Sequence, residues 1–118
     1  MKKISLLLIC LLITGCGGAY KTINSNVAMN LIEDEHAILI DVRNVDEYNR
    51  EHIDGAVNIP LDMISNVDYD KEEVIIVYCQ SGMRSMEAAK MLSEMGYTNL
   101  YNLDGGLLNW GFDLIEGE

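Results

Sequence analysis

The sequence predicts an α/β fold, with a central, mainly parallel sheet flanked by helices on both faces. Three observations predict it. Ala37-Ile38-Leu39-Ile40-Asp41-Val42 is a continuous apolar run ending in a charge, and Val74-Ile75-Ile76-Val77-Tyr78 is five β-formers in a row. Runs of this kind suit strands buried on both faces of a parallel sheet. Stretches with helical spacing lie between and after them, so strands and helices alternate. A chain of 118 residues holds one modest core rather than two.

Taken in order, Ser25 is placed to cap a helix running through Glu33, with Val27, Leu31 and Ile32 on one side. The first apolar run is a strand, and Asn44 to Glu51 is a short polar helix. Gly55-Ala56-Val57-Asn58-Ile59-Pro60 reads as a short strand stopped by its proline, and Leu61 to Asn66 as a helical turn. The second apolar run is the strongest strand. Ser85 to Met95 carries Ala88, Ala89, Leu92 and Met95 in a helical stripe, with Gly96 as C-cap. Asn99 to Leu103 is a last short strand, followed by a Gly105-Gly106 turn and a helix over Leu107 to Trp110.

Charge narrows the partners. Lys+Arg 8 against Asp+Glu 19 gives −11. Sequence-independent nucleic-acid binding needs clustered positive charge, so no nucleic-acid partner is expected. Charge-driven adhesion to anionic lipid is disfavoured on the same ground.

The N-terminus reads as an address label. Met1-Lys2-Lys3 is positive, Ile4 to Ile13 is almost wholly apolar, and Thr14 and Gly15 are small. The apolar stretch is far short of the about 20 residues that span a bilayer. This order describes a secretory signal peptide. Its end, Ile13-Thr14-Gly15-Cys16, resembles the lipobox of bacterial lipoproteins. That resemblance implies cleavage before Cys16, acylation of Cys16, and a membrane partner through the lipid anchor. The expected division is residues 1–15 as signal peptide, 16–24 as lipid anchor and tether, and 25–118 as the domain. Removal of Lys2 and Lys3 takes the charge from −11 to −13. The protein is then exported and lipid-anchored to the cell envelope, at the cell membrane or the outer membrane. Gly17, rather than Asp, after the lipidated cysteine favours the outer membrane in a Gram-negative host.

Cysteine counting isolates one thiol. Cys10 leaves with the signal and Cys16 carries lipid, so Cys79 remains. Cys79, His36 and His52 are too scattered for a metal cluster, and no metal is expected. Cys79 is the first residue after the strongest strand, where α/β folds place reactive groups. The segment Cys79-Gln80-Ser81-Gly82-Met83-Arg84-Ser85 runs from strand through tight turn to helix. Such a turn aims successive backbone N–H groups inward as a nest for an anion, and the helix adds its free N-terminal N–H groups. Gly82 permits the backbone angles that close the loop, and Arg84 adds a forked cation. A thiol aimed into that ring favours its thiolate, a nucleophile beside an anion cradle.

These residues resemble the single-domain rhodaneses, thiosulfate sulfurtransferase-like proteins. Cys79, Gly82 and Arg84 match the family's Cys-x-x-Gly-x-Arg loop. Asp41-Val42-Arg43, Glu47-Tyr48, His52-Ile53, Gly55-Ala56 and Asn58-Ile59-Pro60 match its upstream signature. Ser85, Ala88, Ala89, Leu92 and Gly96-Tyr97 match the helix after the loop. Leu103-Asp104-Gly105-Gly106 and Trp110 match its closing segment.

The resemblance implies a sulfurtransferase that carries sulfane sulfur as a Cys79 persulfide, from thiosulfate or a persulfide donor to a thiol or cyanide. Cys79 is its catalytic residue. Gln80, Ser81, Gly82, Met83, Arg84 and Ser85 bind substrate, their N–H groups holding the persulfide and Arg84 the anionic donor. No cofactor is implied, and a monomer is expected. Small sulfur anions or low-molecular-weight thiols and persulfides are the partners, with an envelope sulfur-relay protein as a further one. A carrier or partner-binding module without turnover is the alternative. The Cys-x4-Arg loop is one residue shorter than the Cys-x5-Arg loop of phosphatases and arsenate reductases on this fold, and suits sulfur. Asp41, Arg43 and His52 match scaffold positions, and Glu47 and Arg50 fall near the pocket rim. Gln80 and Met83 are neutral where many thiosulfate-using members carry a second basic residue.

Overall fold

The two apolar runs become the centre of a five-stranded sheet in a computed structural model that describes residues 19–117. In chain order the elements are β1 (Lys21–Ile23), α1 (Ser25–Glu35), β2 (Ile38–Asp41), α2 (Val45–Arg50), β3 (His52–Ile53) and β4 (Val57–Asn58). A 3-10 helix (Leu61–Asn66), β5 (Val74–Tyr78), α3 (Met83–Glu94), β6 (Asn99–Leu103), a 3-10 turn (Gly106–Asn109) and β7 (Leu114–Ile115) follow. The sheet order is β1-β6-β5-β2-β4, and every pairing in it is parallel. β3 and β7 form a separate two-stranded antiparallel ribbon.

Alternation along the central strands fills two cores. Ile40, Ile75, Val77 and Leu100 meet Ala88, Ala89 and Leu92 of α3 and Ile64 of the first 3-10 helix. On the other face, Leu39, Ile76, Tyr78 and Leu103 meet Ala28 of α1 and Leu107 of the 3-10 turn. Helices therefore cover both faces, as a parallel sheet requires.

Three local readings are corrected. Asn24, not Ser25, caps α1: its side-chain oxygen accepts the Val27 amide at 3.0 Å. Both residue types cap well, and the choice falls one residue early because the chain leaves β1 at Ile23. The Ser25 hydroxyl instead accepts the Gly111 amide at 2.9 Å. The stretch read as tether contains β1, an edge strand three residues long and too short to show a period. The segment over Leu107 to Trp110 is a 3-10 turn rather than an α-helix.

The register places the site. Asp41 pairs with Tyr78 at the carboxyl ends of β2 and β5. The segments that follow, from Val42 and from Cys79, leave the sheet side by side.

A cysteine loop as the candidate active site

Cys79 is 1% exposed, at the bottom of the turn between β5 and α3. Gly82 holds that turn with φ at 115°, a backbone region that side chains disfavour. The chain thereby folds back over the sulfur. The Cys79 Sγ accepts the Gly82 amide at 3.1 Å and the Ser85 amide at 3.3 Å. The Ser85 hydroxyl lies 3.5 Å from the same sulfur. Burial pushes the thiol up. The Ser85 hydroxyl and amide, with the Gly82 and Ser81 amides, outweigh burial and leave the thiol below its ordinary value.

The loop is held from behind. Leu107 and Leu108 donate their amides to the carbonyls of Cys79 and Gln80, at 2.9 and 3.1 Å. Gly106 makes this approach possible: a Cβ there would sit 2.4 Å from the Cys79 carbonyl oxygen. The closing Gly105-Gly106 pair is thus a backing plate for the loop.

Ser85 is itself held. Its hydroxyl contacts the Gly82 carbonyl at 3.1 Å and meets the side-chain amide of Asn102, a buried residue of β6. Asn102 is not among the residues expected from the sequence. A polar side chain inside an otherwise strand-like run is the one sequence signal that marks it, since buried polar groups need partners.

Two arginines border the loop, both engaged. The Arg43 guanidinium is buried against the Asp41 carboxylate, with its closest contact at 2.7 Å. Its other donors reach the Glu51 carbonyl at 2.7 Å and the Gln80 side chain at 3.2 Å. Arg84 grips both oxygens of Glu47, at 2.8 and 3.0 Å. That fork draws the Glu47 carboxyl down to about 2.

Of the expected residues, Cys79, Gly82 and Ser85 converge on the sulfur. Ser81 contributes its amide more weakly. Gln80 turns its side chain to Arg43 and its carbonyl to Leu108. Met83 is 72% exposed at the start of α3. Arg84 was expected to face the donor; here its fork is on Glu47, whose role the sequence left open. His52 is buried, stacked on Tyr48 with its Nδ1 2.8 Å from the Tyr48 carbonyl. Cys16 lies outside the described residues.

Fold and loop together define a class: a parallel α/β protein whose central strand ends in an amide-cradled cysteine. The family model described as "Rhodanese-like domain" matches residues 25–112, and the chain belongs to that family. It is 42% identical over 82 residues to the thiosulfate sulfurtransferase PspE of Escherichia coli (strain K12), covering 66% of this chain and 78% of that protein. It is 33% identical over 93 residues to the thiosulfate sulfurtransferase GlpE of Coxiella burnetii, covering 77% and 87%. A rhodanese-like domain protein from Staphylococcus aureus superposes with a TM-score of 0.73 at 28% identity, covering 83% and 99%.

Proposed function

We propose that this chain is a rhodanese-type sulfurtransferase that moves sulfane sulfur through a persulfide on Cys79. The observation that carries the reading is the ring around one sulfur: two backbone amides that donate to it and a serine hydroxyl within hydrogen-bond reach. A thiolate in that ring attacks the outer sulfur of a donor. The donor's S–S bond breaks, a new S–S bond forms to Cys79, and the electron pair leaves with sulfite or with a thiolate. A thiol or cyanide then takes the outer sulfur and returns Cys79 to the thiolate. The same amides serve both states, because each carries its negative charge within the turn. An already ionised thiol needs no separate base.

Mass spectrometry after exposure to thiosulfate or glutathione persulfide tests the reading. A gain of about 32 Da, one sulfur atom, is expected on Cys79 and absent in Cys79→Ser. Steady-state transfer to cyanide or glutathione should vanish with the same substitution. Transfer that survives it refutes the assignment. Loading without turnover on small acceptors would instead identify a sulfur carrier.

The proposal extends to location. Supported by the order of charged, apolar and small residues before Cys16, the domain is exported and held at the envelope by acyl groups on that cysteine. Mass spectrometry of the mature protein should find Cys16 as the first residue, acylated.

A further inference from the structure

We infer that the cleft between the end of α2 and the cysteine loop is an acceptor subsite for an α-amino-acid headgroup. Arg50 takes its carboxylate and Glu51 its ammonium, and the thiol on the same molecule is delivered to the sulfur carried by Cys79. This rests on the sulfur-transfer reading above and names the class of acceptor.

The cleft is about 480 Å³ and is lined by Arg43, Glu47, Arg50, Glu51 and Gln80. Gln80 follows Cys79 directly, so the cleft abuts the loop that holds the sulfur. Its inner charges are engaged. Arg43 is closed on the Asp41 carboxylate, the Glu51 carbonyl and the Gln80 side-chain oxygen. Glu47 is closed on Arg84 and the Asn44 amide. Its outer charges are not engaged. Arg50 is the last residue of α2 and Glu51 its C-cap, and both are exposed. Neither makes an ion pair, with the other or with any further group, among the described residues. Held by its oxygen, the Gln80 side chain keeps its N–H₂ as a donor for a carboxylate.

One cation, one anion and one amide donor therefore stand ready in a single cleft. A plain anion is opposed there by Glu51, and a plain cation by Arg50. A zwitterion satisfies both, and an α-amino acid carries its carboxylate and ammonium on one carbon. The guanidinium fork fits the carboxylate, and the Glu51 carboxylate accepts from the ammonium. Anchoring the head raises the effective concentration of the attached thiol at the loop. The acceptor reacts as its thiolate: R–S⁻ plus Cys79–S–SH gives R–S–SH plus Cys79–S⁻. The new S–S bond forms on the acceptor, the old one leaves its electron pair on the Cys79 sulfur, and the outer sulfur keeps its proton.

The acceptor half of the cycle tests this. The full chain is loaded with sulfur from thiosulfate or glutathione persulfide, freed of donor, and discharged by one of three thiols. Cysteine carries both charges, 3-mercaptopropionate lacks the ammonium, and cysteamine lacks the carboxylate. Each discharge rate is compared between the wild type and Arg50→Gln or Glu51→Gln, so the intrinsic reactivity of each thiol cancels. Arg50→Gln should slow cysteine and 3-mercaptopropionate roughly three- to fivefold relative to cysteamine, the upper range for an exposed ion pair. Glu51→Gln should slow cysteine and cysteamine by a like factor relative to 3-mercaptopropionate. Far-UV circular dichroism checks the fold, and Arg50→Ala and Glu51→Ala serve if a Gln variant does not fold. Glutathione, whose α-amino-acid head is on its γ-glutamyl end, is a fourth acceptor. The same losses with glutathione assign the cleft to that head, and their absence assigns it to free cysteine. Three small thiols slowed alike, or none slowed, overturn the inference and leave sulfur transfer standing. A wild type that takes up sulfur from neither donor removes the sulfur-transfer reading, and this one with it.

Discussion

Asn102 on β6 meets Ser85 on α3 beside the Cys79 sulfur, so a residue remote in sequence reaches the thiol through one hydroxyl. That hydroxyl has a single hydrogen, and the Gly82 carbonyl and the Cys79 sulfur both lie within its reach. The Asn102 Oδ1 accepts from the same hydroxyl and is a neutral rival of the sulfur for that hydrogen. Asn102→Asp makes that acceptor a charged one, which holds the hydroxyl hydrogen away from the sulfur and sets a second negative charge near it. The pH midpoint for alkylation of Cys79 should move up. Labelling at pH 6 should then slow by roughly tenfold for every whole pH step that the midpoint climbs. The rate at high pH should be retained. Rates of iodoacetamide labelling across pH check this, and an unmoved midpoint would free Asn102 of the role.

The depressed thiol also links stability to pH. The fold favours the thiolate, so unfolding in the intermediate range takes up a proton. This stabilisation is fully present above the unfolded thiol value, about 8.5. It is lost as pH falls through the folded value. Urea denaturation of the wild type and Cys79→Ala should therefore show a stability gap that grows with pH. A gap constant between acid and alkaline conditions would contradict the cradle's preference for the anion.

Gly106→Ala should damage fold and loop together. Its φ of 59° already disfavours a side chain, and the added Cβ would fall 2.4 Å from the Cys79 carbonyl oxygen and 2.8 Å from the Gln80 backbone. Strain and overlap together cost about 2–4 kcal/mol. Sulfur transfer should fall with stability, because the displaced backbone belongs to the cysteine loop. A variant with wild-type urea midpoint and activity would show that the backing turn can shift freely.

Asp41→Asn leaves the Arg43 guanidinium buried without its counter-charge. The pair is almost wholly enclosed, with side-chain exposures of 3% for Arg43 and 0% for Asp41. Breaking a buried pair from one side costs about 3–5 kcal/mol. The urea midpoint should fall accordingly. A loss under about 1 kcal/mol would mean that the pair is screened as a surface bridge is.

The parts of the fold carried by long apolar runs are legible in the sequence. β5 and β6 fall on the residues read for them, and the β2 and α3 readings differ only at their ends. What stays hidden is set by partners rather than by local pattern. β1 is a strand because β6 offers it an edge. β3 and β7 pair across more than sixty positions of sequence as two-residue strands with no periodicity to detect. The cysteine loop is readable because glycine and cysteine at fixed spacing constrain the backbone locally. Asn102 and the Glu47 clamp are not, because only the packing of β6 and α2 against the loop brings them there.

The direction of β1 has a bearing on how the molecule faces its surroundings. Ala19 donates its amide to the Ser93 hydroxyl, eight residues along α3 from Ser85 and so about 12 Å down the helix from the sulfur. β1 then runs parallel to the other strands of the sheet, toward the edge where Cys79 opens. Ala19 thus lies toward the pole opposite the mouth. The described chain therefore enters the sheet at one pole and presents its sulfur at the other, so a sulfur acceptor reaches Cys79 without passing the point of entry.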